Sequence, residues 1–270
     1  HVSCGNHEVL DNFVRTHPDR FYEHGVKVQV AAEIKKCVDI PVACVGGISD
    51  PAMAEEIIAS GKADVVCLAR ALVCDPDWPR KARAGKPEEI RTCMRCMACQ
   101  SVVPTTRLIW CSLNPECGNE VELRSVQPPK ELKKVLVAGG GPGGLQAAVK
   151  AAERGHQVIL CEATGELGGQ ILCERHVPFK QDFFRFAQWL IRQAKAYKNI
   201  DIRLNTPVTR QLVDEIAPDT LICAVGSEDL VPPIPGIHGK NVLFPADLKG
   251  ETFPEFGRRV VIIGGGLVGC

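Results

Sequence analysis

The stretch KKVLVAGGGPGGLQAAVKAAERGHQVILCEA, residues 133–163, constrains the fold more than any other part of the chain. It reads as strand, glycine turn, helix, strand. Gly139-x-Gly141-x-x-Gly144 closes the first strand and opens the helix. Glycines at this spacing permit a tight turn, a close approach of backbone to a pyrophosphate, and close packing of helix on strand, with the helix N-terminus facing the phosphates. Glu162 ends the second strand at the ~20-residue separation from which a carboxylate bonds a ribose hydroxyl. The plain alternative is a structural glycine turn, and the complete βαβ context weighs against it.

A second glycine approach follows in GELGGQI, with Gly168, Gly169 and Gln170. Glycines just past the acidic ribose binder are typical of FAD domains and unusual in domains that bind NAD alone. LICAVGSEDLVPPIPG resembles the strand-to-loop segment of flavoproteins with two dinucleotide sites, with Val225 in place of a threonine. RRVVIIGGGLVGC then repeats the first device about 125 residues on, as Gly264-x-Gly266-x-x-Gly269. Two such loops imply a second dinucleotide, most naturally NADH or NADPH. The residue that would choose between them does not follow in this sequence.

The front of the chain alternates strand and helix signals. DIPVACVGGI and KADVVCLAR read as buried strands, and DPAMAEEIIASG and DPDWPRKARAG as helices. Parallel strands with short βα loops point to an α/β barrel or a doubly wound sheet. Gly46-Gly47 and Ala69-Arg70 stand at the C-terminal ends of those strands, where the last loops of a (βα)8 barrel bind phosphate. Arg70 would add a charge-assisted bond. An ordinary βα turn with a surface arginine is the equal alternative.

Between these zones RTCMRCMACQ places Cys93, Cys96 and Cys99 on one short loop, with Cys111 beyond. Three thiolates from one loop and a fourth from a separate segment suit a [4Fe-4S] cluster. A structural zinc site is the rival, although such sites usually pair two two-ligand knuckles. Free thiols are the third reading, and Cys117 competes with Cys111 as the fourth ligand. The other ten of the fourteen cysteines lie mostly in apolar contexts and read as small buried hydrophobes. The pattern favours a reducing, cytoplasmic setting over a disulfide scaffold.

Lys and Arg number 32, as do Asp and Glu, so no global charge draws the chain to nucleic acid or membrane. No run is long and apolar enough to span a bilayer. A start at His1 and an end inside a glycine turn read as an internal segment of a longer protein. The expected organisation is residues 1–90, the C-terminal part of a barrel; 91–130, a cysteine segment and linker; 131–257, an FAD-binding domain; and 258–270, the start of an NAD(P)-binding domain.

Taken in order, IPVACVGGI, ADVVCLARALVCDPDWPRKARAG, IRTCMRCMAC, CSLNP, GGGPGGLQAA, GGQI and IIGGGLVG resemble the iron–sulfur branch of the old yellow enzyme family. Its members include 2,4-dienoyl-CoA reductase, 2-enoate reductase and trimethylamine dehydrogenase. The resemblance implies an FMN-binding barrel end, with Gly47, Ala69 and Arg70 on the FMN phosphate. It places Gly143, Glu162, Gln170 and Arg175 on FAD, and Cys93, Cys96, Cys99 and Cys111 on the cluster. CGNHE resembles the strand end where the dienoyl-CoA reductase carries a His-Glu pair, which makes His7 a candidate for substrate binding or protonation. A surface-loop histidine is the alternative. The cysteine spacing is closer to trimethylamine dehydrogenase, whereas GGQI and the second glycine loop look like the reductases.

The implied activity is an electron relay. NAD(P)H gives hydride to FAD, single electrons pass through the cluster to FMN, and FMN delivers hydride to the β-carbon of an activated C=C bond of an enoate, enoyl or enone substrate. An amine dehydrogenase or demethylase, sending electrons from FMN to the cluster, is one alternative. A non-catalytic electron-transfer module is the other. The partner expected is a small-molecule substrate, with a homo-oligomer allowed.

Overall fold

A computed structural model describes residues 1–6, 8, 12, 15–101, 108–228, 230–252 and 254–264. The chain divides into two compact units, His1–Gln127 and Pro128–Cys270. Both are α/β, and all strand pairing in both is parallel.

The first unit carries helices α1 (Val28–Lys35), α2 (Pro51–Ala59), α3 (Arg70–Cys74), α4 (Trp78–Arg83) and α5 (Glu120–Ser125), with strands β1 (Ala43–Cys44) and β2 (Val65–Val66). The strand signals hold, but only two residues of each enter the ladder, with Val2 bridging Cys44 on the far side. A parallel pair with so few neighbours is a weak sheet. Cohesion comes instead from helices laid on the strands. Ala31 of α1 and Ile57 of α2 pack with Val2, Val42, Cys44, Ile48 and Ala63. Asp50 caps α2 by accepting the Ala52 N–H at 2.9 Å, with Pro51 at the first helical position. Trp78 packs with Ala71 and Ile90, and its indole N–H donates to the Ser49 carbonyl at 2.8 Å. This bond ties α4 to the loop after β1.

In the second unit strands β3 (Lys134–Ala138), β4 (Gln157–Cys161), β5 (Ile200–Arg203) and β6 (Thr220–Cys223) lie in the order β5-β4-β3-β6. Helix α6 (Pro142–Glu153) joins β3 to β4; α7 (Gln181–Ala196) and α8 (Arg210–Ile216) follow. Val135, Leu136, Val137 and Ala138 of β3 are all buried, as a central strand covered on both faces requires. Apolar residues of α7 recur at helical spacing, and Phe186, Ala187, Trp189, Leu190 and Ala194 are buried. Each fully buried leucine here, such as Leu136 or Leu160, contributes about 1.5–3 kcal/mol. Helix α8 is capped by the Thr209 hydroxyl and ends on Ala217 in a left-handed conformation, φ 46°. The strand order reverses between β3 and β6, and at such a switch point a crevice opens beyond the strand ends.

Two stretches differ from expectation. The polar segment after Cys117, read as turn and linker, contains α5, a short helix with no buried residue. The run RRVVII, read as a strand, has none in residues 258–264, and Val260 to Ile263 are exposed. A strand exists only where a neighbour completes its ladder, and no described residue pairs with this run. No helix among the described residues is long and apolar enough to cross a membrane.

Candidate cofactor sites

In the second unit the glycine loop sits at the C-terminal end of β3, beside β6. Gly139 has φ +105°, and a Cβ there would lie 2.3 Å from the Ala224 carbonyl oxygen. A Cβ at Gly144 would lie 1.8 Å from the Gly139 oxygen. These two positions accept no side chain, because strand, turn and helix touch through backbone. In front of the helix, Gly143 faces open space. The second glycine turn closes on the first: a Cβ at Gly169 would meet the Gly141 Cα at 2.9 Å, and the Gly168 N–H donates to the Gly140 carbonyl at 2.9 Å. The result is a concave backbone surface at a helix N-terminus, which fits a pyrophosphate.

The Glu162 carboxylate closes one side. It accepts the Gly140 N–H at 2.7 Å and the Thr164 N–H at 2.8 Å, which fixes its orientation and leaves lone pairs for a diol. Gln170 donates to the Ser227 carbonyl at 3.3 Å, across the mouth. Arg175 is paired with Glu166 and lies over the Phe184 ring at 5.4 Å. Its Nε is buried with no hydrogen-bond partner, a donor of the kind a bound anion satisfies. These residues fit FAD. In the second glycine loop Gly264 has φ +104° with nothing within 4 Å of a Cβ; Gly266 and Gly269 lie outside the described residues.

In the first unit the loop after β1 carries Gly46 and Gly47 in left-handed backbone, with the Gly47 carbonyl bonded to His24 Nδ1 at 2.8 Å. Ala69 precedes α3 and Arg70 begins it. Arg70 sends one terminal nitrogen to the Pro18 carbonyl at 2.8 Å and the other to Met97 Sδ at 3.0 Å. The arginine expected at a phosphate therefore also touches the cysteine loop. His7 lies outside the described residues.

Cys93, Cys96, Cys99 and Cys111 all line one small cavity, together with Arg70 and Cys74. Cys117 does not; it is buried with its Sγ 3.8 Å from the Ile109 carbonyl. Both arms of the cavity are strapped to α3. The Asn114 amide donates to the Val73 carbonyl at 3.0 Å, and buried Asp75 accepts the Arg91 N–H at 2.8 Å and the Lys81 ammonium at 2.7 Å. Arg95 is buried and donates to the Asp19 and Tyr22 carbonyls. Within the loop, Arg95 and Met97 are both left-handed, φ 52° and 66°. Each such non-glycine residue costs about 1–2 kcal/mol.

The thiols differ in character. Burial pushes Cys93 up to about 11 and raises Cys99 as well. Cys111 is brought down to about 6, chiefly by a hydrogen bond from Cys74, with the Leu113 N–H also pointing at its Sγ at 3.5 Å. That same bond and burial hold Cys74 far above the ordinary thiol range. Among the described residues no three His, Cys, Asp or Glu side chains converge as ligands of one ion do.

Sequence reasoning missed Cys74, Arg95 and Asn114. Arg95 and Asn114 act through reach across the fold, which spacing does not encode. Cys74 sits in an apolar run and carried no local signal. The scattered cysteines are also less uniform than expected: Cys44, Cys117 and Cys161 are buried, but Cys37 and Cys223 are exposed.

A glycine-loop βαβ unit behind a parallel βα segment and a four-cysteine cavity defines a dinucleotide-binding flavoprotein class. The chain belongs to the pyridine nucleotide-disulphide oxidoreductase family, matched over residues 133–270, joined to part of the NADH:flavin oxidoreductase / NADH oxidase family, matched over 11–89. It is 41% identical to an NADH oxidase of Thermoanaerobacter brockii, over 100% of this chain and 42% of that protein. It is 33% identical to a cinnamate reductase of Clostridium sporogenes, over 96% of this chain and 38% of that one. A solved structure of a 2-naphthoyl-CoA reductase in complex with 2-naphthoyl-CoA superposes with a TM-score of 0.84 at 31% identity, covering 93% of this chain and 38% of that one. Relatives named as amine dehydrogenases also match. The chain thus spans about two fifths of the length of the relatives it matches. The two families imply flavin and pyridine-nucleotide binding.

Proposed function

We propose that the full-length protein is an NAD(P)H-dependent flavin and iron–sulfur oxidoreductase that reduces the activated C=C bond of an enoate, enoyl or enone substrate. The observation that carries this reading is that Cys93, Cys96 and Cys99, on a loop with two left-handed non-glycine residues, line one cavity with Cys111 of a separate segment. When bound, NAD(P)H, FAD, a [4Fe-4S] cluster and FMN supply hydride acceptance, one-electron transfer and hydride delivery to the alkene.

The chain's own residues bind, orient and insulate. Backbone N–H groups at Gly141, Gly143 and Gly144 receive the FAD pyrophosphate, with Arg175 Nε as a further donor. Glu162 holds the ribose diol, already oriented by Gly140 and Thr164. Cys93, Cys96, Cys99 and Cys111 each hold one iron, while Met94 and Leu113, both buried, keep water from the cavity wall. Gly47, Ala69 and Arg70 hold the FMN phosphate. His7 supplies or positions the proton for the α-carbon. Gly264, Gly266 and Gly269 form the nicotinamide-dinucleotide turn.

Anaerobic iron, sulfide and flavin analysis of the full-length protein tests this reading. About four irons and four sulfides per chain, with both FAD and FMN, are expected. Zinc without sulfide overturns the cluster, and FAD without FMN overturns the barrel site. A second reading, amine oxidation, is favoured by the C-x2-C-x2-C spacing. NADH- or NADPH-driven consumption of an enoate, against amine-driven reduction of an artificial acceptor, separates the two.

A further inference from the structure

Residues 18–24, just ahead of α1, form neither helix nor strand. A segment without a ladder of its own takes its shape from whatever satisfies its carbonyls. Here two arginines do so. One terminal nitrogen of Arg95 donates to the Asp19 carbonyl at 3.0 Å and to the Tyr22 carbonyl. Arg70 donates to the Pro18 carbonyl at 2.8 Å. Both arginines start outside the segment: Arg95 stands between Cys93 and Cys96, and Arg70 opens α3.

The far end of the segment reaches the glycine loop after β1. His24 Nδ1 donates to the Gly47 carbonyl at 2.8 Å. A Cβ at Gly47 would lie 3.8 Å from Arg95 Cδ and 3.8 Å from the Glu23 oxygen, so the stem of Arg95 and the segment both lie against this loop. The other terminal nitrogen of Arg70 returns to the cysteine loop at Met97 Sδ, 3.0 Å away. The contacts therefore run from the cysteine loop to the segment through Arg95, from the segment to the glycine loop through His24, and from α3 back to the cysteine loop through Arg70. Arg95 is 5% exposed and its backbone is left-handed, φ 52°. The direction of its side chain follows the conformation of the loop that carries Cys93 and Cys96.

Resting on the flavin and cluster reading above, we infer that Arg95 is a positioning residue that couples the two cofactor sites of the first unit. A cysteine loop fixed by its cluster fixes Arg95, which fixes residues 19–24 and, through His24, the Gly47 carbonyl. In a planar trans peptide the Ile48 N–H points opposite to that carbonyl, so holding one aims the other. Backbone N–H groups of such loops are what a phosphate binds in a barrel. Cluster and FMN then strengthen each other's binding, by the same factor in either direction.

The test is the FMN affinity of the full-length protein, with its cluster and after anaerobic removal of iron. Equilibrium dialysis reads it, with chromatographic separation of FMN from FAD. In wild type, removing iron is expected to weaken FMN binding roughly tenfold. In Arg95→Met, which keeps the stem and loses both carbonyl bonds, that dependence falls to about twofold or less. His24→Phe, which keeps a ring and loses the donor to Gly47, has the same effect and decides the matter if Arg95→Met does not fold. Equal FMN affinity with and without iron in wild type overturns the inference. So does a dependence that both variants leave at its wild-type size, which would mean that the cofactors sense each other directly. A wild type that holds no FMN, or no iron and sulfide, defeats the underlying reading instead, which separates that failure from this one.

Discussion

The two units build their sites by opposite means. The FAD-type site of the second unit is almost all backbone: two glycine turns in contact, a helix end, and one carboxylate oriented by N–H groups. Its shape follows from a regular four-stranded parallel sheet. The cysteine cavity of the first unit is almost all side chain, on a loop with two left-handed non-glycine residues, next to strands only two residues long. A site of the first kind is fixed by the fold. A site of the second kind is held by long side-chain bonds to distant carbonyls and completed by what it binds.

The comparison breaks most sharply at the ligands. Alanine at Cys93, Cys96, Cys99 or Cys111 in the full-length protein is expected to abolish bound iron and acid-labile sulfide, while Cys117→Ala leaves both intact. Iron and sulfide assays check this; loss of the cluster in Cys117→Ala would move the fourth ligand. In the second unit the equivalent break is Gly144→Val. Its Cβ would meet the Gly139 oxygen at 1.8 Å, and no rotamer relieves a clash at Cβ. Destabilisation of about 3 kcal/mol and loss of FAD are expected, read by denaturant midpoint and flavin extraction.

Arg95 sharpens the contrast. Arg95→Ala removes the bonds to Asp19 and Tyr22 and is expected to cost about 1.5–3 kcal/mol. Arg95→Gly loses the same bonds but suits φ 52°, so it should be the milder change by about 1 kcal/mol. Equal midpoints for the two would show that the loop relaxes its strain once the guanidinium is gone.

The cavity also carries a pH dependence. In protein stripped of iron, the lowered Cys111 value means that folding favours its thiolate. That contribution is full above the ordinary thiol range, declines as pH falls, and is gone below about 6. Alkylation of Cys111, mapped by mass spectrometry, should stay fast down to about 6 and should retreat toward ordinary thiol behaviour in Cys74→Ala. Smallest are the helix caps. Asp50→Ala in the first unit and Thr209→Ala in the second each remove one cap and should cost about 1 kcal/mol, read in thermal melts.

The same contrast governs how much was legible beforehand. In the second unit, period and glycine position are local signals, so the strand, glycine turn, helix and strand read over residues 133–163 are β3, the loop at Gly139, α6 and β4. In the strand-to-loop segment LICAVG, β6 leaves the ladder at Cys223, and Ala224 meets Gly139. In the first unit, the sequence left Cys111 and Cys117 as rival partners of the three loop cysteines, and only Cys111 lines their cavity. Cys74 stayed hidden, because its role depends on α3 lying against a segment far along the chain. The exposed RRVVII run carried a strand pattern without a strand, since pattern supplies one edge of a ladder and never its partner.

The cavity has one more consequence, in time rather than space. Every cysteine that lines it, and each of the straps from Asp19, Tyr22, Asp75, Arg91, Arg95 and Asn114, belongs to the unit ending at Gln127. Synthesis runs from the N-terminus, and domains generally fold in that order. The complete donor set is therefore synthesised before β3, the first strand of the FAD-type sheet.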